Sequence, residues 1–206
     1  MPKLTLPTEI EIIRTLGSGR RSQVYLAHYQ NREVVVKVYK QEYIHKYQSQ
    51  YKVNIGEFEF MRNKIAYETD SLTRYVAEPY KLFTSEQGYD LAFVQEYVEG
   101  IWLEELMDQV KGLPKEVLQA GYYIVEQAAA VGLYDLDIPP GNIRLKQDHA
   151  GKWAPKLYDF NLMPQHLCPP NPFMAIGFKM GLRNKNHRDY RSLKHWEYLG
   201  KQASKT

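Results

Sequence analysis

Four groups of residues have types and spacings suited to chemistry. Gly17-Ser18-Gly19-Arg20-Arg21-Ser22-Gln23-Val24 lies between two strand-forming runs. Glycine lets backbone approach a polyphosphate closely, and the N–H groups of such a loop can donate to its oxygens. The pattern falls short of G-x-G-x-x-G, because Ser22 takes the third position, and an ordinary glycine turn would read the same. A dinucleotide-binding reading fails, since Val24 continues a strand where a helix would have to start. Twenty positions after Gly17, Lys37 sits inside Val34-Val35-Val36-Lys37-Val38. An ammonium in so apolar a strand calls for a buried partner or a ligand, unless it is an edge lysine reaching for water. Asp137 precedes Asn142 by five positions in Asp135-Leu136-Asp137-Ile138-Pro139-Pro140-Gly141-Asn142. In a proline-stiffened loop the aspartate can accept a proton while the asparagine carbonyl holds a hard cation. Asp159 follows Asn142 by seventeen positions, ends Lys156-Leu157-Tyr158, and precedes Phe160-Asn161.

These groups need elements to hold them. Glu11–Arg14, Val24–Ala27 and Glu33–Tyr39 read as strands, the last β-branched almost throughout. A polar, Tyr- and Gln-rich stretch follows. Next comes a helix around Gly56–Thr69, with Phe58, Met61, Ile65 and Phe60 as its apolar stripe. Tyr80–Thr84 and Asp90–Tyr97 bracket the turn Ser85-Glu86-Gln87-Gly88. Helical spacing then takes over: Leu103, Leu106, Met107 and Val110 form one helix stopping near Gly112. A second opens at Pro114, with Leu118, Val125 and Ala128–Ala129 on one face and Gly132 as its stop. Ile143–Leu145 and Lys156–Tyr158 form a hairpin turning at Asp148-His149-Ala150-Gly151, and a Pro-rich irregular stretch follows. Tyr190, Leu193, Trp196 and Leu199 mark a final helix. Strands first and helices afterwards predict an α+β plan, with a β-rich part over residues 1–99 and a helical part over 100–206.

Composition narrows the class. The chain has 206 residues, 44% hydrophobic and 25% charged, enough for one domain or two small lobes with a real core. The longest apolar stretch, Ala128–Tyr134, is far short of the ~20 residues a bilayer requires. The single Cys168 excludes an intrachain disulfide and a cysteine-cluster zinc site, and nothing near it activates its thiol. The six histidines show no metal-ligand spacing. The 17 tyrosines read as packing residues rather than a nucleic-acid stacking surface. The net charge of +3 is uneven: Leu182 to Thr206 holds seven basic residues against two acidic ones. That run is the solvated face of a helix or a contact for an acidic partner. These features suit a soluble protein of a reducing compartment, with no nucleic-acid partner and no membrane span.

Taken in order, the four groups resemble the protein-kinase-like superfamily. Gly17–Val24 is similar to its glycine-rich loop, Val34–Lys37 to its Val-Ala-Ile-Lys strand, Asp137 to Asn142 to the Asp and Asn of its catalytic loop, and Asp159-Phe160-Asn161 to its Asp-Phe-Gly. Gln95-Glu96-Tyr97-Val98-Glu99-Gly100 looks like the hinge that holds adenine. The resemblance runs from about residue 9 to about residue 165. It implies a two-lobed fold with a β-rich N-lobe and a reduced helical C-lobe, and a site for ATP and Mg2+. Backbone around Gly17, Ser18, Gly19 and Ser22, beside Val24, would cover the phosphates. Lys37 would bind the α- and β-phosphates and pair with a helix glutamate, for which Glu57 is the choice over Glu59 and Glu68. Asp137 would orient or deprotonate the attacking hydroxyl, Asn142 and Asp159 would coordinate magnesium, and Glu96 with Val98 would meet adenine.

The sequence also departs from the family. Asp135 and Leu136 replace the His and Arg of the catalytic loop, so control by activation-loop phosphorylation is not expected. Pro139 stands where these enzymes often have a lysine, a charge that Arg20 or Arg21 would have to replace. Asn161 replaces the Gly after Phe160, and only 47 residues follow Asp159, without Ala-Pro-Glu. This resembles small, atypical bacterial kinases with a truncated C-lobe, a Leu182–Leu199 helix capping the lobe instead. The expected function is a minimal serine/threonine protein kinase. The alternatives are a kinase for a small molecule or lipid-linked sugar, suggested by Asp-x-x-Pro-Gly-Asn, and a nucleotide-binding pseudokinase that acts as a scaffold. The expected location is cytoplasmic, with a secreted effector as the alternative, although under ten residues precede the first strand.

Overall fold

The structure is a computed structural model and describes residues 4–148 and 151–205. Part of the expected turn, His149-Ala150, lies outside the described residues. The chain divides into two compact units, Met1–Lys64 with Ala77–Tyr97 and Ile65–Val76 with Val98–Thr206. Residues 65–76, which the sequence reading put in the first part, therefore belong to the second unit.

In the first unit, β1 (Ile10–Ser18), β2 (Ser22–Tyr29), β3 (Arg32–Tyr39), β4 (Pro79–Phe83) and β5 (Ala92–Glu96) form an antiparallel sheet ordered β1-β2-β3-β5-β4. Gln30 and Asn31, at φ 50° and 61°, make the two-residue turn between β2 and β3. This left-handed geometry matches strand twist, and a residue such as asparagine tolerates it. The run Val34 to Tyr39 is wholly buried, as expected of a central strand covered on both faces. Val34, Val36 and Val38 pack with Ile10, Ala27, Phe83, Ala92 and Val94 in the core. The turn before β5 is a single 3-10 turn, Ser85–Gln87, closed by a reciprocal Thr84–Gln87 capping box and by Gly88 at φ 81°.

Two helices complete this unit, and both correct the sequence reading. The Tyr- and Gln-rich stretch forms α1 (Gln41–Tyr51), which buries only Ile44 and Tyr47. α2 (Ile55–Glu68) matches the expected span, but its buried face is Ile55, Glu59, Arg62, Asn63 and Ala66. Met61 and Ile65, assigned to the inner stripe, are exposed. The last turn of α2 falls in the second unit.

The second unit contains β6 (Ile101–Trp102), α3 (Leu103–Val110), α4 (Lys115–Ala130), β7 (Ile143–Gln147), β8 (Trp153–Leu157), α5 (Pro172–Lys179) and α6 (His187–Ala203). β7 and β8 pair as the expected hairpin, with β6 along the other edge of β7. Pro114 is the N-cap of α4, whose buried face is Val117, Gly121, Ile124, Val125 and Ala128; Leu118 is only half-buried. α5 forms inside the Pro-rich stretch read as irregular: Asn171 caps it by accepting the Met174 N–H at 2.9 Å, and Pro172 opens its first turn.

Two glycines set the spacing of α6. A Cβ on Gly121 would lie 2.7 Å from both Leu193 Cδ2 and Trp196 Cζ3, and one on Gly200 would lie 2.5 Å from Leu113 Cβ. Gly121→Val should therefore destabilise the protein by about 1–3 kcal/mol through overpacking, read as a lower denaturation midpoint. An unchanged midpoint would mean that α6 can move aside. The Tyr122 hydroxyl donates to Glu197 Oε1 at 2.8 Å across the same contact. That hydrogen bond, with burial second, pushes the tyrosine pKa up, so it stays protonated.

Candidate active site

In the first unit, strand register gathers most of the residues singled out from sequence. Gly17 faces Val24, Val24 faces Lys37, and Lys37 faces Phe93, one row across four strands. Directly opposed residues share a face of the sheet. Ser18 and Ser22 sit at the ends of β1 and β2, flanking the turn that contains Gly19. Lys40 Nζ donates to Gly19 O at 2.8 Å, and the Lys40 N–H donates to Arg21 O at 2.9 Å, fixing that turn. Neither Gly17 nor Gly19 has a left-handed backbone. A Cβ on Gly17 would meet nothing within 4 Å among the described residues, and one on Gly19 would meet Ser22 O at an ordinary 3.5 Å. The fold itself does not require glycine at either position.

Lys37 is buried and donates to Glu59 Oε1 at 2.6 Å, while the Tyr39 hydroxyl donates to Glu59 Oε2 at the same distance. A buried ammonium is tolerable only with such a partner, and a buried carboxylate only with its oxygens satisfied. The glutamate that partners Lys37 is thus Glu59. Glu57, the residue expected there, is exposed and accepts from Asn54 Nδ2 at 3.1 Å. One helical turn of 3.6 residues explains the difference: Glu59 shares the inward face with Ile55 and Asn63, two positions away from where Glu57 points. Asn63 Nδ2 donates to the buried Gln95 Oε1 at 3.3 Å, and Phe60 meets Phe93 edge-on at 5.5 Å. At the end of β5, Glu96 gives its N–H to Glu78 O at 2.8 Å and takes the Glu78 N–H on Oε2 at 3.0 Å.

The second unit holds Asp137, Asn142, Asp159 and the buried Val98. Asp135 and Asp137 both adopt left-handed backbone, at φ 58° and 63°, which aspartate accepts more readily than most residues. Asn142 ends a single 3-10 turn, Pro140–Asn142, and its Nδ2 donates to Asp137 O at 3.1 Å. That bond turns the amide nitrogen inward, leaving Oδ1 as the atom suited to a cation. Ile143 pairs with Leu157, so Asn142 and the Tyr158–Asp159 step leave the same end of the hairpin. The Tyr158 hydroxyl donates to Gly141 O at 3.2 Å, tying the two segments together. Phe160 enters the core, and Asn161 Oδ1 accepts the Met163 N–H at 3.1 Å.

What holds this loop escaped the sequence reading. Buried Asp189 of α6 accepts the Asp135 N–H at 2.7 Å and the Leu136 N–H at 2.6 Å. Buried Asp135 accepts Arg188 Nη1 at 2.9 Å and the Gln165 N–H at 3.1 Å. Trp196 Nε1 donates to Ile138 O at 2.9 Å. Leu136 is fully buried in the core of this unit. α6 does more than cap the lobe, and Arg188, counted among the solvated cations, is spent on Asp135. The signal was the pair Arg188-Asp189, opposite charges at the start of an apolar helical pattern.

The donor set suits a hard cation: a carboxylate and an amide carbonyl leave one end of a rigid hairpin. Among the described residues no group of three or more His, Cys, Asp or Glu is arranged to hold a metal ion. Burial pushes the Cys168 thiol up, away from the reactive thiolate. No described helix is long and apolar enough to cross a membrane.

No protein-family model matches the sequence. No curated protein matches it either. Solved structures do match. One crystal structure of the PknI kinase domain of Mycobacterium tuberculosis superposes with a TM-score of 0.57 at 19% identity, over 97% of this chain and 79% of that one. Another of the same domain gives 0.54 at 21% identity, over 94% and 74%. Such identities speak to architecture and leave activity open. With its five-stranded antiparallel sheet, its buried lysine–glutamate pair and its mainly helical second unit, the chain has a protein-kinase-like fold of the α+β class.

Proposed function

We propose that the protein is an ATP- and magnesium-dependent phosphotransferase acting on a hydroxyl group, most specifically a minimal serine/threonine protein kinase. The observation that carries this reading is the buried Lys37–Glu59 pair at 2.6 Å. A fold gains little from burying two charges where apolar side chains would serve, so the pair is best explained by work on an anion. The two glycines that the fold does not require support it, because a close backbone approach to phosphate explains them.

In this reading Lys37, held charged by Glu59, meets the α- and β-phosphates, and the N–H groups around Gly17, Ser18, Gly19 and Ser22 cover them. Glu96, through its carbonyl, and Val98 meet the adenine. Asn142 Oδ1 and the Asp159 carboxylate hold magnesium, which supplies positive charge against the phosphate oxygens when bound. Asp137 orients the acceptor hydroxyl and takes its proton. The acceptor oxygen forms the new bond to the γ-phosphorus as the bond to the β-phosphate oxygen breaks, leaving ADP. Leu136 and the Asp189 latch give the loop a fixed shape without a phosphate-binding arginine, so activation-loop phosphorylation should not raise activity.

The test is incubation with γ-labelled ATP and magnesium, wild type beside Asp159→Ala, with label followed on the chain, on a generic protein acceptor and in released phosphate. Transfer to protein that disappears in the variant is the expected result. Transfer restricted to a sugar or small-molecule alcohol would favour the second acceptor class, for which the Asp-x-x-Pro-Gly-Asn loop speaks. A thermal shift with ATP but no turnover would leave a nucleotide-binding scaffold.

A further inference from the structure

α5 is an apolar helix that buries none of its residues. Phe173, Ile176 and Met180 recur at helical spacing along it and, with Leu182 and the preceding Leu167, are between 53% and 86% exposed. Soluble surfaces rarely show so many large apolar side chains on one short segment without a partner for them. Its helical shape comes from local bonds: the Asn171 cap, Pro172 at the first turn, and Arg183, whose guanidinium reaches back to Met174 Sδ and whose N–H donates to Gly177 O at 3.1 Å. The charge pattern around it is one-sided. From Phe160 to Arg188 the chain has no Asp or Glu, while Lys179, Arg183 and Lys185, all exposed, follow the apolar run closely.

We propose that α5 and its flanks are a docking surface for an anionic lipid bilayer. Phe173, Ile176, Met180 and Leu182 enter the boundary between headgroups and acyl chains, and Lys179, Arg183 and Lys185 meet the lipid phosphates. Charge complementarity selects this occupant. A second copy would bring the same cations against these. A fluid acyl layer also accepts exposed apolar side chains without a matching groove. The proposal concerns a surface apart from the residues assigned to phosphotransfer, and it stands or falls separately from that reading.

The experiment is co-sedimentation of the full chain with phosphatidylcholine vesicles, with and without about one-third phosphatidylglycerol. The expected result is pelleting with the anionic vesicles. Phe173→Ser with Ile176→Ser should weaken it by about tenfold or more, and Lys179→Glu by roughly fivefold or more. Neither change should shift the melting temperature by more than a few degrees, because Phe173 and Lys179 are exposed and Ile176 is 53% exposed. Equal binding by the serine double variant, or absence from the pellet with both vesicle types, would overturn the proposal. So would a wild-type dimer in lipid-free solution that the same double variant converts to monomer, which would assign the face to a second copy.

Discussion

Asp189→Ala is expected to lower the melting temperature by roughly 10 °C and to abolish phosphotransfer. Its carboxylate takes two buried backbone N–H groups, at 2.7 and 2.6 Å, and alanine leaves both without an acceptor. Hydrogen bonds to a charged group contribute about 1.5–3 kcal/mol each, so the loss of two is about 3–6 kcal/mol. For a chain of this size each kcal/mol moves the midpoint by about 2–4 °C. Asp189→Asn keeps one acceptor oxygen and should recover part of the stability. A purely structural role would spare the KM for ATP and lower activity only in proportion to unfolded protein. The positioning role proposed here requires folded Asp189→Asn protein, assayed well below its midpoint, to lose kcat with its nucleotide affinity intact.

Glu59→Ala should have the second large effect, and Glu57→Ala next to none. Removing Glu59 takes from the buried Lys37 ammonium the carboxylate it meets at 2.6 Å and from the Tyr39 hydroxyl the oxygen it donates to at 2.6 Å. Breaking a buried pair from one side costs about 3–5 kcal/mol, whereas an exposed surface substitution stays within about 0.5 kcal/mol. Denaturant midpoints of the two variants decide the matter directly. The double variant Lys37→Met, Glu59→Leu supplies the control: it should recover much of the stability while ATP no longer shifts the melting temperature. A full loss of stability in Glu57→Ala, with Glu59→Ala unaffected, would reverse the assignment.

Strand periodicity and turn chemistry made the first unit legible. The valine run and the Ser85–Gly88 turn, like the β7–β8 pairing of the second unit, came from local patterns that tertiary packing did not override. Helix faces were harder wherever burial went against residue type. On α2 the inward positions carry Glu59, Arg62 and Asn63, and a hydrophobicity count turns such a helix the wrong way round. The same blindness moved the lysine's partner by two residues. α5 was hidden by the prolines around it, and by the absence of an apolar–polar alternation, since none of its residues is fully buried. Asp137, Asn142 and Asp159 were singled out by residue type and spacing, and their roles came from the family resemblance. The groups that shape their loop were not, because Asp135 and Asp189 meet across 54 positions of sequence and neither belongs to a short motif.

That separation has a consequence for synthesis. The loop of Asp137 is translated well before the helix that latches it. Until Asp189 and Trp196 have emerged, the buried N–H groups at 135 and 136 and the carbonyl at 138 lack the partners that shape the turn. A nascent chain therefore holds all five strands of its first sheet while the turn at 135–138 still lacks its acceptors. A premature stop after Tyr97 and before His187 would leave every strand of the first sheet encoded while the turn at 135–138 lacks the helix that latches it.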